Sequence, residues 1–262
     1  MKRKDFIFNL IYCILPMVLV FPLTIWGISQ MSKATYDCFF VMGSSMQPYL
    51  SGDKNNSTYG YSDNSDIAIS KLNRFDLVIC YYPFANESDY QQPYNRENPV
   101  LLETSTLKVK RVIGLPGDKL EINNEEFSIT YNTLDGKEVT ESYDSTNCPF
   151  ERKTPISNRR ASIDRLHDGE YFVMGDNWTE MGSLDCCNPS KGGTPTCLYR
   201  ENIVGVIFKL EGTCTYDVQK HCKECKKIVD EDVTKCRCGC TKFLRYNDIV
   251  DKTPFDKPIY IK

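Results

Sequence analysis

A mainly β body behind one membrane-crossing helix is the fold this sequence predicts, and three observations carry it. Residues Phe6 to Ile28 contain no charged side chain, which matches the roughly 20 apolar residues that cross a hydrocarbon layer. Beyond them, short β-branched and aromatic runs alternate with clusters of Gly, Pro, Asn and Asp, the pattern of antiparallel strands and turns. From Thr213 onward the composition shifts to Cys and Lys, marking a small Cys-rich C-terminal appendage. The divisions read from these changes are 1–32 for the N-terminus and anchor, 33–212 for the main domain and 213–262 for the appendage and tail.

Pro16 and Pro22 do not overturn the helix, because membrane helices tolerate proline better than soluble ones. A cleaved leader fits less well: its apolar core runs about 7–15 residues, and Ser32-Lys33-Ala34 is a poor cleavage site. Lys2, Arg3 and Lys4 precede the span and Lys33 alone follows closely, so the positive-inside bias puts the N-terminus in the cytoplasm and the body outside. The body then hangs from a single-pass anchor. Within the 262 residues an apolar content of 41% suits a folded core, and a net charge of -3 gives no footprint for nucleic acid.

Element by element, Tyr36 to Met42 reads as a strand that runs into the turn Gly43-Ser44-Ser45. Ser51 to Ser65 is rich in Gly, Ser, Asn and Asp and reads as a polar loop, followed by strands at Ile67 to Leu72 and Leu77 to Tyr82. Leu107 to Ile113 alternates, with Leu107, Val109 and Arg111 on one face and Lys108, Lys110 and Val112 on the other. Gly114-Leu115-Pro116-Gly117 ends it. A hairpin of Phe127 to Asn132 and Glu138 to Tyr143 around Asp135-Gly136 belongs to an inserted β lobe, about 119–165. Tyr171 to Met174 delivers Gly175-Asp176-Asn177, and Ile203 to Leu210 closes the main domain.

The chemistry starts from a hydroxyl. An unactivated serine is a weak nucleophile and needs a neighbour to accept its proton. The two histidines, His167 and His221, stand in no pattern that identifies a triad, and His221 adjoins Cys222. A lysine serves instead if burial lowers its pKa from about 10.4. Val109-Lys110-Arg111-Val112-Ile113 supplies apolar surroundings for such an amine, although an isolated Lys110 would read as an exposed strand lysine.

Three runs then combine behind the N-terminal span: Ser45-Met46-Gln47-Pro48, Lys110-Arg111-Val112-Ile113-Gly114-Leu115-Pro116-Gly117-Asp118 and Gly175-Asp176-Asn177. In this order they resemble the boxes of bacterial type I signal peptidase, with Asp76-Leu77-Val78 and Glu201-Asn202-Ile203-Val204-Gly205 as supporting pieces, over roughly Phe6 to Leu210. The resemblance implies an antiparallel-sheet, signal-peptidase-like catalytic domain. It implies Ser45 as nucleophile and Lys110 as general base, an acyl-enzyme route, and removal of leader peptides from exported preproteins. No cofactor for catalysis is implied. Membrane lipid and the export machinery are the implied partners, and the bacterial cell membrane the implied location.

The Ser45 backbone N–H is the natural oxyanion donor, and Ser44 is the competing hydroxyl that the Ser-Met-x-Pro register sets aside. Gly43 stands where some members carry an assisting serine. The third box departs most: Trp178 replaces an arginine, Ser183-Leu184-Asp185 follows what looks like a two-residue insertion, and Cys186-Cys187 occupies the place of Ser-Arg. Ser183 becomes the lysine-orienting serine and Asp185 the structural aspartate, without the arginine that usually accompanies it.

Thirteen cysteines leave a second question. Cys222, Cys225, Cys236, Cys238 and Cys240 resemble a small zinc ribbon in which four thiolates hold a structural zinc, with the last pair open between Cys236/Cys240 and Cys238/Cys240. Disulfides are the alternative on the oxidising side of a membrane. Ser51-Gly52-Asp53-Lys54, Ser62-Asp63-Asn64 and Lys191-Gly192-Gly193 imitate penicillin-binding motifs, but a turn at Gly52-Asp53 does not suit the helix the first motif needs. The rival function is a catalytically silent, membrane-tethered β domain that recruits a partner through its Cys-rich ribbon.

Overall fold

The structure is a computed structural model that describes residues 36–82, 106–123, 126–153, 159–179, 183–188, 195–230 and 232–261. Two antiparallel sheets organise them. The larger runs in the order β1 (Tyr36–Phe40), β3 (Asn56–Asp63), β12 (Ile203–Cys222), β4 (Leu77–Tyr82), β5 (Thr106–Gly114), β10 (Glu170–Met174) and β11 (Leu198–Tyr199). Three further strands attach to it: β2 (Gly52–Asp53) on β3, and β13 (Ile228–Val229) and β14 (Phe243–Tyr260) on β12. The smaller sheet is β8 (Glu138–Tyr143), β7 (Phe127–Asn132), β6 (Lys119–Ile122) and β9 (Ala161–Ile163). Its central hairpin has the predicted strands and the predicted turn, with Gly136 at φ 78°.

The core joins the two sheets. Val78, Cys80, Val112, Phe172 and Trp178 from the large sheet and its loops pack with Leu120, Phe127 and Ile129 of the small one. A second cluster of Phe39, Val41, Met46, Leu50, Leu77, Ile207 and Leu210 lies around the turn after β1. Met46 and Leu50 are fully buried there, so the residues that follow Ser45 pin its turn to the sheet.

Two sequence expectations are corrected. Ser51 to Ser65 is no loop, for it contains β2 and all of β3. Its polarity misleads because β3 lies between β1 and β12, where small side chains are an advantage: Ser57 and Ser62 are fully buried, and the Ser57 hydroxyl donates to the Val41 carbonyl. Gly60 permits the closest approach, since a Cβ at that position would stand 2.1 Å from the Lys209 carbonyl oxygen. Ile67 to Leu72 is no strand either; the short helix α1 (Asp66–Ser70) starts there. The Ser65 hydroxyl caps it by accepting from the Ala68 N–H at 3.2 Å, and Asp66 puts a negative charge in the first turn.

β12 runs through residue 213 without a break and carries the chain to Cys222. β14 returns along it from Cys222↔Phe243 to Lys209↔Tyr260, so the Cys-rich segment is the tip of a long two-stranded ribbon. Among the described residues no helix is long and apolar enough to cross a membrane, and the predicted span from Phe6 to Ile28 lies outside them.

Replacing Gly60 by Val should lower stability by about 2–3 kcal/mol, because the new side chain meets backbone that cannot retreat. The midpoint of chemical unfolding of the purified chain measures it, and an unchanged midpoint would refute the close packing of β3 against β12.

Candidate active site

Four segments converge on the C-terminal end of β10. Lys110 lies on β5 opposite Val78 of β4, and the next residue, Arg111, is opposite Met174 of β10. After Met174 the chain turns through Gly175-Asp176-Asn177 directly against the Ser45 turn. Asn177 donates its backbone N–H to the Ser45 carbonyl at 3.0 Å and its side-chain amide to the Ser44 carbonyl at 3.0 Å. Ser44 is exposed and Ser45 half-buried.

Gly175 is the point of closest contact. A Cβ there would lie 2.4 Å from the Ser183 hydroxyl oxygen and 2.4 Å from the Ser45 carbonyl oxygen, so a side chain at this position would push the two serines apart. The Lys110 ammonium nitrogen donates to the same Ser183 hydroxyl at 2.9 Å. The predicted base, the predicted orienting hydroxyl and the backbone of the predicted nucleophile thus meet around one glycine. Lys110 is only 1% exposed, and burial pushes its pKa down to about 8 against the pull of Asp185, which favours the charged form.

Asp185 is fully buried and accepts on both oxygens: Gly175 N–H at 3.0 Å on Oδ2, and Cys187 and Asn188 N–H at 3.2 and 3.1 Å on Oδ1. Its counter-ion is Arg159, which donates to Asp185 Oδ2 at 2.8 Å and to the Ser183 carbonyl at 2.8 Å. The expectation that Asp185 lacks an arginine is therefore corrected. The cation comes from the segment leading into β9 of the small sheet, not from the neighbouring sequence. A second ion pair lies beside it: Arg111 grips Asp176 with two bonds of 2.8 and 2.7 Å, and its guanidinium lies over the Tyr49 and Phe150 rings.

Sequence reasoning also missed the neighbouring basic residues. Lys153 N–H donates to the Asp176 carbonyl at 3.1 Å and its ammonium to Gln47 Oε1 at 2.8 Å, bridging the third run to the first. Arg152 lies 4.2 Å over Trp178, which is fully buried where the family motif has arginine. The available signal was the group Arg152, Lys153, Arg159 and Arg160 on the return from the inserted lobe, but sequence spacing cannot assign partners across a fold. Cys186 and Cys187 are buried, and burial holds the Cys187 thiol up at about 12, which suits two packed thiols.

The decoys separate from this centre. Lys54 is exposed and pairs with Asp217 at 2.7 Å, while Ser62 is buried against Asn64. Lys191-Gly192-Gly193 lies outside the described residues. His221 belongs to the ribbon tip, where its Nδ1 is 3.2 Å from the Lys226 carbonyl. At that tip the sulfurs of Cys222, Cys225, Cys236 and Cys238 lie within 4.8 Å of one another, while Cys240 stands apart from the group.

The β scaffold thus holds a buried amine hydrogen-bonded to a hydroxyl, with a second serine turn packed on the same glycine. The profile described as "Signal peptidase, peptidase S26" matches residues 6–207, and the chain belongs to that family. It is 37% identical over 111 residues to signal peptidase I P of Bacillus subtilis subsp. natto, covering 40% of this chain and 55% of that protein. It is 37% identical over 82 residues to signal peptidase I S of Bacillus subtilis strain 168, covering 30% of this chain and 41% of that protein. The chain thus spans about half the length of the curated relatives it matches. A crystal structure of a signal peptidase I from Enterococcus faecalis V583 aligns at 21% identity, 52% of this chain, 96% of that chain and a TM-score of 0.27.

Replacing Arg159 by Met should destabilise the fold by about 3–5 kcal/mol, because it strands a buried carboxylate. Adding Asp185→Asn should recover more than half of that loss in the same denaturant titration; a double variant as unstable as the sum of the singles would show that the pair is not coupled.

Proposed function

We propose that this protein is a type I signal peptidase that cuts N-terminal signal peptides from exported preproteins, with Ser45 as nucleophile and Lys110 as general base. The observation that carries the reading is the burial of Lys110 against the Ser183 hydroxyl, at a glycine that also packs on the Ser45 backbone. The relatives named signal peptidase I support the same reaction.

In this mechanism neutral Lys110 takes the Ser45 proton as the hydroxyl oxygen attacks the scissile carbonyl, forming an acyl-enzyme and passing the proton to the leaving amine. The same amine then activates the water that releases the mature protein's leader. Ser183 fixes the amine's direction, and Asp185 acts through Ser183 and Gly175 as a positioning residue. The Ser45 N–H faces the developing oxyanion; Ser44 contributes its carbonyl to Asn177 and so holds the turn. These side chains supply the reaction without a metal or cofactor. The span from Phe6 to Ile28 would anchor the catalytic domain (33–212) in the bacterial cell membrane, N-terminus inside, with the active site near the outer lipid surface where the export machinery delivers leaders. The lobe at 119–165 and the appendage at 213–262 complete the proposed division.

Ser45→Ala and Lys110→Met should each lower cleavage of a leader-bearing precursor by at least about 10³-fold. Full activity in both variants would sink the mechanism, and a folded but inactive wild type would favour the silent, partner-recruiting domain.

The pH profile follows from the lysine. Its neighbours are Asp185 and Asp176, which favour the charged form, and Lys108 and Arg159, which oppose it, with the Cys80 thiol alongside. Cleavage should rise about tenfold per pH unit below about 8 and level off above it. The folded amine's pKa is below the ordinary 10.5, so burying it costs about 3 kcal/mol below about pH 8, a cost that fades as pH rises toward 10.5. Lys110→Met should therefore be inactive yet more stable than wild type by about 1–2 kcal/mol at pH 7, after loss of its hydrogen bond. An advantage that grows with pH would contradict the assignment.

A further inference from the structure

The tip of the β12–β14 ribbon has too little apolar packing to hold itself. Residues 223–242 between the two strands contain β13, which is two residues long, and the tip cluster consists of Cys222, Cys236 and Cys240 with Cys225, Val229 and Phe243 around them. A small unit of this kind ordinarily needs a metal or disulfides. Its backbone is nonetheless shaped with care. The Cys222 N–H donates to the Lys227 carbonyl at 2.9 Å, and the Lys226 N–H donates to the Cys222 carbonyl at 3.0 Å. Lys226 takes a positive φ of 59° just after Cys225, and Gly239 takes φ 94° just after Cys238. Each Cys-bearing turn thus reverses immediately behind its second thiol.

We infer that Cys222, Cys225, Cys236 and Cys238 form a tetrathiolate site for one Zn²⁺ ion, and that Cys240 is not a ligand. Zinc–sulfur bonds of about 2.3 Å place tetrahedral sulfurs about 3.8 Å apart. The contacts Cys222–Cys238 and Cys225–Cys236 are 3.5 and 3.6 Å, and all four sulfurs lie within 4.8 Å. A disulfide needs about 2.05 Å, well short of both printed contacts, and all four sulfurs stay within 4.8 Å as one set.

The partners of the fifth cysteine set it apart. The Cys240 sulfur instead donates to the Lys242 carbonyl at 3.3 Å, as a thiol does, while receiving the Lys242 N–H at 3.3 Å. Both pairs that spacing offers, Cys236/Cys240 and Cys238/Cys240, include Cys240, and the grouping of the sulfurs favours neither: it joins Cys236 with Cys238. On binding, each of the four thiols loses its proton to solvent as its sulfur bonds to the ion, and no atom changes oxidation state.

The ion closes the end of the ribbon, since Cys222 is the last residue of β12 and pairs with Phe243, the first of β14. The site does not depend on the peptidase reading, and it can be measured in a Ser45→Ala protein. The full chain, purified anaerobically with reductant and reconstituted with Zn²⁺, should hold about one ion by elemental analysis, as should Cys240→Ser. Cys225→Ser and Cys238→Ser should hold almost none. Wild type loaded with Co²⁺ should show the intense visible bands and thiolate charge transfer of a four-sulfur tetrahedral site, which counts ligands without relying on a variant that folds. Iron in place of zinc, an ion lost from Cys240→Ser, a cobalt spectrum with fewer sulfurs, or a metal-free chain with mapped Cys222–Cys238 and Cys225–Cys236 disulfides would each overturn the assignment.

Discussion

The burial of one amine governs how this molecule is built. A lysine held at 1% exposure is a liability to any fold, because its charged form loses hydration and its ordinary pKa keeps it charged. The sheet accepts it in a central strand, β5, between β4 and β10, where solvent cannot reach and where the Ser183 hydroxyl accepts its hydrogen bond. Everything that positions that hydroxyl then matters. Ser183 is held through its close approach to Gly175 and through Arg159, which bonds both the Ser183 carbonyl and Asp185.

That arrangement changes the meaning of the inserted lobe. A hairpin with its own sheet would ordinarily be free to vary, yet the chain leaving it supplies Arg159 to Asp185, Lys153 to Gln47 and Asp176, and Arg152 to the face of Trp178. The third run has lost two arginines from its own sequence, and guanidinium groups reach the same neighbourhood from the lobe. Both buried carboxylates keep a partner, Asp176 with Arg111 and Asp185 with Arg159. The polarity of the site is thereby preserved while its covalent source has moved. An unpartnered Asp185 would stabilise the Lys110 ammonium more strongly.

Much of this was legible where local pattern decides structure. Alternation placed Lys110 opposite Val109 on β5, and Asp135-Gly136 defined the hairpin, because a strand's period and a turn's φ requirement are written in neighbouring residues. The Ser45, Lys110 and Ser183 assignments rested on motif order, and their approach around Gly175 is geometry that no spacing expresses. β3 was missed because its burial comes from two flanking strands, which reward Ser, Thr and Gly over the Val and Ile that announce a strand. α1 was misread because Ile67 and Ile69 look like a strand's alternation, and the cap at Ser65 outweighs that. Arg159 was invisible for a different reason: an ion pair between residues 26 apart in sequence needs the fold before it has a partner.

The ribbon follows another logic. β12 begins beside β4 in the catalytic half and ends at Cys222, so the two regions share a strand and differ in what holds them. Near Ile207 and Leu210 the strand is tied by apolar burial. Past Cys214, the last of its residues paired with β3, it keeps β14 and then the two residues of β13. A two-stranded ribbon is marginal in water by itself, and its remedy here cannot be a larger core, because the tip offers few apolar side chains. A point constraint at the far end does the same work for the whole length, since closing the tip limits fraying of every pair between Cys222 and Thr213. The large sheet buries an amine among paired charges in a dry interior, whereas the ribbon tip gathers four sulfurs within 4.8 Å of one another. One strand runs through both regions, and the register shifts along it, at Leu210/Gly212 and Thr215/Tyr216, leave each end to its own means of support.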